Sequence, residues 1–230
     1  VIVLTAATPW ESEPLRRAWG LVPGPHPRTW GGKAAGKDVL LVETGMGAER
    51  CAAALAALPA FPVELAVSSG LAGSLQEGVR SADLVADPHG APLAVLEAVR
   101  EAAAAAQAPL HLGRMVSSSR VLTEPAQKRA LGENRRALAV DMESAQVRLW
   151  AGERGASFLA LRAVLDELGD RLPADAPAAA GAAAALRYAA AHWRELPLLL
   201  RLGVRQRRAM ARLALVLGKL LERLETCTAS

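Results

Sequence analysis

The chain has 230 residues, 52% of them hydrophobic and 22% charged, with a net charge of +4. That length supports one large core, and the composition excludes a disordered, collagenous or coiled-coil chain. Two cysteines (Cys51 and Cys227) and four scattered histidines exclude a disulfide scaffold and a zinc-type cluster. They point to a reducing compartment, the cytoplasm.

Val1–Thr5 is short and apolar, without a basic segment before it, and reads as a first strand rather than a signal peptide. Asp38–Glu43 reads as a second strand, Ala48–Leu58 as a helix and Leu65–Ser69 as a strand. A short strand is expected at Asp83–Ala86. Pro92–Ala106 is Ala- and Leu-rich behind a proline, which suits a helix N-terminus. Gly113–Ser117 reads as a strand, and Thr123 as the N-cap of a helix opened by Pro125. Ala137–Val140 is a strand running into a helix from Met142 to Arg154. Ser157–Val164 is a strand and Ala178–Trp193 is helical. This alternation predicts an α/β protein, a three-layer α/β/α sandwich around a central mixed, mainly parallel sheet. No apolar run approaches the ~18–20 residues needed to span a bilayer.

The charge is unevenly spread. Arg194 to Glu225 holds eight Lys/Arg against three Glu, so this segment is +5 and the remainder −1. On a helix, Arg201, Arg205, Arg208, Arg212, Lys219 and Arg223 fall within roughly 60° of one another, opposite Leu202, Met210, Leu213, Leu217, Leu220, Leu221 and Leu224. The division expected is a catalytic domain over 1–196 and a basic amphipathic helical extension over 197–230. The extension's Leu face is expected in an interface or core, and Arg205, Arg208, Arg212 and Arg223 in water. The helix docks on its own body, on an anionic membrane surface or on a partner. It has no aromatic residues to stack bases, which argues against nucleic acid.

Ligands of doubly wound sheets bind outside the carboxyl ends of the strands. Residues expected there are Glu11, the Thr44–Gly47 turn, Ser68–Gly73 as a second glycine turn, Ser117–Ser119, Asp141–Glu143, and Arg162 with Asp166. Neither a dinucleotide fingerprint nor a P-loop is present. Each acid also has a plainer reading. Glu11 and Glu143 suit a helix N-terminus, where carboxylates are favoured. Asp166 suits a turn, or a partner for Arg162. The histidines and Cys51 read as structural.

The order Ala7–Glu11, Thr44–Gly47, Ser69-Gly70-Leu71-Ala72-Gly73, Ala139-Val140-Asp141-Met142-Glu143-Ser144 and Arg162-Ala163-Val164-Leu165-Asp166 resembles the nucleoside phosphorylase/nucleosidase superfamily, from Val1 to about Leu196. It looks most like the nucleosidases of methylthioadenosine and adenosylhomocysteine. Asp170-Arg171-Leu172-Pro173 and the basic extension look like a hopanoid-associated branch. The resemblance implies a homo-oligomer, a dimer, that acts on a small-molecule nucleoside with no cofactor and no metal. By position it implies Asp166 as the acid that protonates the purine and Glu11 as the base for water. It implies Glu143 on the ribose hydroxyls and Met142 against the sugar. Gly47, Ser69, Gly70 and Ala72 would line the sugar and base region, and the backbone of Val121 and Leu122 the purine edge. Leu165 stands where the superfamily commonly has Ser, and Val121 where an aromatic often stacks.

The first turn, Ala6 to Glu11, lacks a glycine turn and an arginine for phosphate, and Pro9 removes an N–H donor. Hydrolysis of a purine nucleoside, with adenine as the base and adenosylhopane-type substrates included, is therefore favoured. Phosphorolysis is the alternative, and a non-catalytic nucleoside- or membrane-binding protein is the alternative of another class.

Overall fold

A computed structural model describes residues 1–173 and 196–224. The helix expected at Ala178–Trp193 lies outside the described residues, as does Cys227. The strands are β1 (Ile2–Ala6), β2 (Val22–Pro23), β3 (Thr29–Ala34), β4 (Lys37–Glu43), β5 (Leu65–Ser74), β6 (Leu84–Asp87), β7 (Leu110–Leu112), β8 (Met115–Ser117), β9 (Ala139–Asp141) and β10 (Ser157–Asp166). The helices are α1 (Pro9–Trp19), α2 (Ala48–Ala56), α3 (Leu93–Ala105), α4 (Pro125–Arg135), α5 (Ser144–Glu153) and α6 (Leu196–Arg223).

One mixed sheet runs β2-β3-β4-β1-β5-β10-β6-β7, with β9 paired to the far end of β5 and β8 to β9. Its centre is parallel: β4, β1, β5 and β10 all point the same way. Alternation along each central strand feeds two cores, because successive side chains leave a strand on opposite faces. Leu4, Val67, Leu159 and Leu161 enter one core with Leu15 of α1, Val99 of α3 and Leu213, Leu217 and Leu220 of α6. Val3, Ala66, Phe158 and Val164 enter the other with Cys51 and Leu55 of α2 and Val147 and Trp150 of α5. These are the three layers the alternation predicts.

Several elements depart from the sequence reading. The Ser68–Gly73 segment is not a turn: β5 runs on through it to Ser74, held by β10 as far as Gly73. The α4 N-cap is Glu124, one residue after Thr123. The strand expected at Gly113–Ser117 begins at Met115, and β7 precedes it. Strand β3 carries two glycines (Thr-Trp-Gly-Gly-Lys-Ala) and has weak strand propensity. Its order comes from antiparallel pairing with β4.

The basic helix packs on its own body. Leu213, Leu217, Leu220 and Leu221 are buried, as their spacing predicts, and Leu224 is partly buried against the same core. Arg208 is exposed, but Arg205, Arg212 and Arg223 are only partly in water. Arg212 donates to the Ala82 carbonyl at 2.7 Å, and Arg223 lies 3.6 Å from Glu101. Among the described residues, no helix is long and apolar enough to cross a membrane.

Candidate active site

Strands β1, β5 and β10 run toward the same edge of the sheet, where β5 and β10 continue past the end of β1, and buried charge collects there. Glu11 lies in the first turn of α1, just past β1. Its Oε2 accepts from the backbone N–H of Ala7 (2.8 Å) and Thr8 (2.9 Å). That is half of a capping box, so the plainer reading of Glu11 holds. Its other oxygen reaches beyond the helix, accepting from Leu71 N on β5 at 2.8 Å. The same carboxylate therefore caps α1 and fixes it to the sheet. Gly70 makes room for it. This residue has φ +126°, and a Cβ there would lie 2.5 Å from Glu11 Oε1 and 3.0 Å from an Arg162 guanidinium nitrogen.

Arg162, on β10 opposite Gly70, is 1% exposed. One guanidinium nitrogen lies 2.8 Å from Ser68 Oγ, 2.9 Å from Asp141 Oδ2 and 3.3 Å from Glu143 Oε2. The other terminal nitrogen donates to Leu71 O at 3.3 Å. Burial opposes its charge, but Asp141 and Glu143 hold it above the ordinary arginine range. Asp141, at the end of β9, also accepts from Ser117 Oγ (2.7 Å) and from Ser144 N (2.9 Å). Ser117 of the serine run is thus a tie to Asp141, while Ser118 closes a local turn with Arg120.

Glu143 follows β9 at the N-terminus of α5 and is buried. Its second oxygen accepts from Gly47 N at 2.8 Å, which links it to the turn after β4. Burial pushes its carboxyl above the usual range against the pull of Arg162 and the Gly47 N–H. Met142 lies over Gly47, its Cε 3.9 Å from where a Cβ would stand.

Asp166 ends β10 beyond a bulge between Val164 and Asp166 that shifts the register against β5. Bulges re-aim side chains in this way. Its carboxylate comes within 3.1 Å of the position a Cβ would take on Gly73. Its ionic partner is Lys128 of α4, with Nζ 2.5 Å from Oδ2, and not Arg162. Along a strand, four residues span about 13 Å, too far for Arg162 to pair with Asp166. Burial raises the Asp166 carboxyl above the usual range, although Lys128 pulls it down.

The remaining predicted residues divide. Gly47 and Gly70 touch the acids directly. Ser69 is buried, and its hydroxyl donates to Thr5 O at 2.7 Å, binding β5 to β1. Ala72 faces the α2/α5 core. Leu122 is buried with Leu75, Ala137 and Val140, and Val121 is exposed. A cavity of about 880 Å³ between α4 and α5 is lined by Ser117, Arg120, Leu122, Ser144 and Arg148, among others, and by none of the three acids. Cys51 is core: burial, with Glu143 nearby, pushes its thiol up to about 12. His89 and His111 pair with Asp87 (2.7 Å) and Asp83 (2.9 Å). Sequence reasoning missed Lys128 and the organising role of Arg162. The only signal for Arg162 was its place in the Arg-Ala-Val-Leu-Asp segment, and nothing in spacing signalled Lys128.

Comparison with known proteins assigns the class. A profile described as the phosphorylase superfamily matches residues 1–86 and 87–192, and the chain belongs to that superfamily. No curated protein sequence matches it. Solved structures match over nearly the whole chain. The 5′-methylthioadenosine/S-adenosylhomocysteine nucleosidase of Neisseria meningitidis, in complex with methylthio-immucillin-A, is 20% identical with a TM-score of 0.76, covering 97% of this chain and 99% of that one. The S. pneumoniae enzyme of the same name, with a transition-state inhibitor, has a TM-score of 0.75 at 20% identity and the same coverage. The futalosine hydrolase of Helicobacter pylori has a TM-score of 0.73 at 17% identity, covering 97% of each chain.

Proposed function

We propose that the protein hydrolyses the N-glycosidic bond of a purine nucleoside. The observation that carries this reading is the placement of three buried acids, Glu11, Glu143 and Asp166, along one sheet edge, each held by different partners. Cleavage puts positive charge on the ribose and negative charge on the departing base. Asp166, whose carboxyl burial raises, gives its proton to the base nitrogen N7 as the bond breaks. Water adds to the ribose carbon from the other side and yields its proton to Glu11. The Leu71 N–H occupies one lone pair of Glu11 Oε1 and leaves another for that water. Glu143, anchored by Arg162 and Gly47, accepts from the ribose hydroxyls. Met142 packs on the sugar. Gly47, Ser69 and the backbone of Gly70 and Ala72 line its surroundings, and the Val121 and Leu122 backbone meets the purine edge.

Hydrolysis is favoured over phosphorolysis because the cations that touch the buried acids of this edge are committed to them. Arg162 is spent on Asp141 and Glu143, Lys128 on Asp166, and Arg28 on Glu43 at 2.9 Å. The nucleosidase names of the structural neighbours agree with this choice. Adenine is the base we favour, and apolar 5′ substituents, the adenosylhopane type included, belong in the first screen.

Purine release from a panel of adenine nucleosides, with and without phosphate, tests the reading. Activity independent of phosphate is expected. Asp166→Asn should lower kcat by about 10²–10⁴-fold while the protein stays folded, since Asn has no transferable proton. Glu11→Gln should do similar damage. Strict dependence on phosphate would replace hydrolysis by phosphorolysis, and full activity of Asp166→Asn would remove the acid role.

A further inference from the structure

Lys128 occupies the first turn of α4 and is 1% exposed. A lysine is almost never buried this deeply without partners. Its ammonium donates to two carbonyls, Asp170 O at 2.9 Å and Glu167 O at 3.0 Å, and forms an ion pair with Asp166 Oδ2 at 2.5 Å. Both carbonyls belong to the segment that leaves β10, so the geometry of Lys128 depends on that segment.

The segment is gripped from both sides. Arg171 lies 3.3 Å from the Glu124 carboxylate, and Leu172 N donates to Thr123 O at 3.0 Å, both at the start of α4. From α6, Arg201 donates to Asp170 Oδ1 at 3.0 Å, Arg205 donates to Asp170 Oδ2, and Arg205 lies 3.6 Å from Glu167. Asp170 also accepts from Glu167 N at 2.8 Å. The first half of the basic stripe on α6 thus has an occupant within the chain, the turn behind the acid.

We propose that Lys128 is a positioning residue that sets the acidity of Asp166, and that Arg201 and Arg205 keep it there by holding the 167–170 turn. The proposal rests on the reading of Asp166 as the proton donor. A carboxyl buried alone keeps its proton but is a weak acid. Proton transfer is most effective when the donor's acidity lies near the working pH. An ammonium group beside the carboxylate stabilises the ionised form and makes the acid stronger. Burial and the negative charge of Asp170 act upward on Asp166, and Lys128 acts downward. Of the other groups around the turn, Glu167 adds negative charge, Arg201 and Arg205 neutralise Asp170 from α6, and β5 presents the uncharged Gly73. Arg201 and Arg205 therefore act in the same sense as Lys128, from further away.

The test is the pH profile of kcat/KM on the nucleoside that the wild type turns over fastest. Activity falls on the basic side as Asp166 loses its proton. Lys128→Met should move that limb to higher pH by about 1–3 units, the usual effect of removing an adjacent opposite charge. It should also lower the rate at neutral pH. Lys128→Arg, which keeps the charge, should hold the limb near its wild-type position. Arg205→Met should shift it in the same direction by less. Lower activity at every pH with an unmoved limb would overturn the proposal and leave Lys128 a structural residue. If Lys128→Met does not fold, a folded Arg205→Met with an unmoved limb overturns it equally. Asp166→Asn separates the two levels. If that variant is fully active the acid role itself fails. If it is inactive while the limb stays fixed in the Lys128 and Arg205 variants, only the role of Lys128 fails.

Discussion

Two buried cations organise the sheet edge, and they do so differently. Arg162 is enclosed by the sheet edge itself: its partners come from β5, β9 and Glu143, two residues past β9. A guanidinium is planar and offers five donors in fixed directions, so it locks whatever surrounds it. Lys128 is a point charge on a flexible stem; it meets its acid and two carbonyls of the 167–170 turn, and α6 grips that turn rather than Lys128. The contrast follows the chemistry proposed for each side. Sugar hydroxyls need an acceptor that does not move, and Glu143 is pinned between Arg162 and Gly47. Proton donation needs a group whose charge can change, and Asp166 faces one cation rather than a closed network.

The comparison breaks most sharply at Arg162. Arg162→Met would leave Asp141 and Glu143 buried without their cation. Removing one partner of a buried ion pair costs about 3–5 kcal/mol, so denaturant unfolding should show a loss of that size or an unfolded protein. Next comes the anchor of the Lys128 side. Leu213 is fully buried on α6, and Leu213→Ala should cost about 2–5 kcal/mol. A loss under about 0.5 kcal/mol, typical of surface positions, would mean that α6 is not part of the folded core.

The smallest effect expected is on Glu143. Its carboxyl is raised in the folded protein, so the native state binds this proton more tightly than the unfolded chain does. Its contribution is therefore favourable at low pH and is lost as pH rises through the folded value. Glu143→Gln cannot ionise and should unfold at a slightly higher temperature than wild type at neutral pH. The gap should shrink as pH falls toward the ordinary carboxylate range. Thermal unfolding across pH checks the sign, and a gap that widens on acidification would contradict it.

Most of the α/β order was legible along the chain because buried central strands are apolar runs of five to ten residues between Ala-rich helices. The Leu face of α6 was legible for a similar reason, since helical periodicity is local. The three acids were legible through motif order, and Glu11 shows why one residue can satisfy two readings: capping and site geometry use the same carboxylate. Elements that lack local propensity were not legible. Strand β3 is glycine-rich, and α1 carries Pro14 within it. Both are held by neighbours distant in sequence.

The sequence by itself determined which residues are apolar, which carry charge, and the periods at which they recur; from these came the layers, the helix faces and the candidate acids. Only the tertiary structure decided who meets whom. Asp166 reads beside Arg162 in the chain, yet an extended strand separates them and a lysine 38 residues earlier takes the place. Arg205 reads as a solvent or lipid contact, yet it closes on Asp170, 35 residues before it. Charge pairing acts through space over a few ångströms, whereas periodicity reports only neighbours along one element. The partners of buried charges are therefore fixed when elements pack, at the step that no local pattern records.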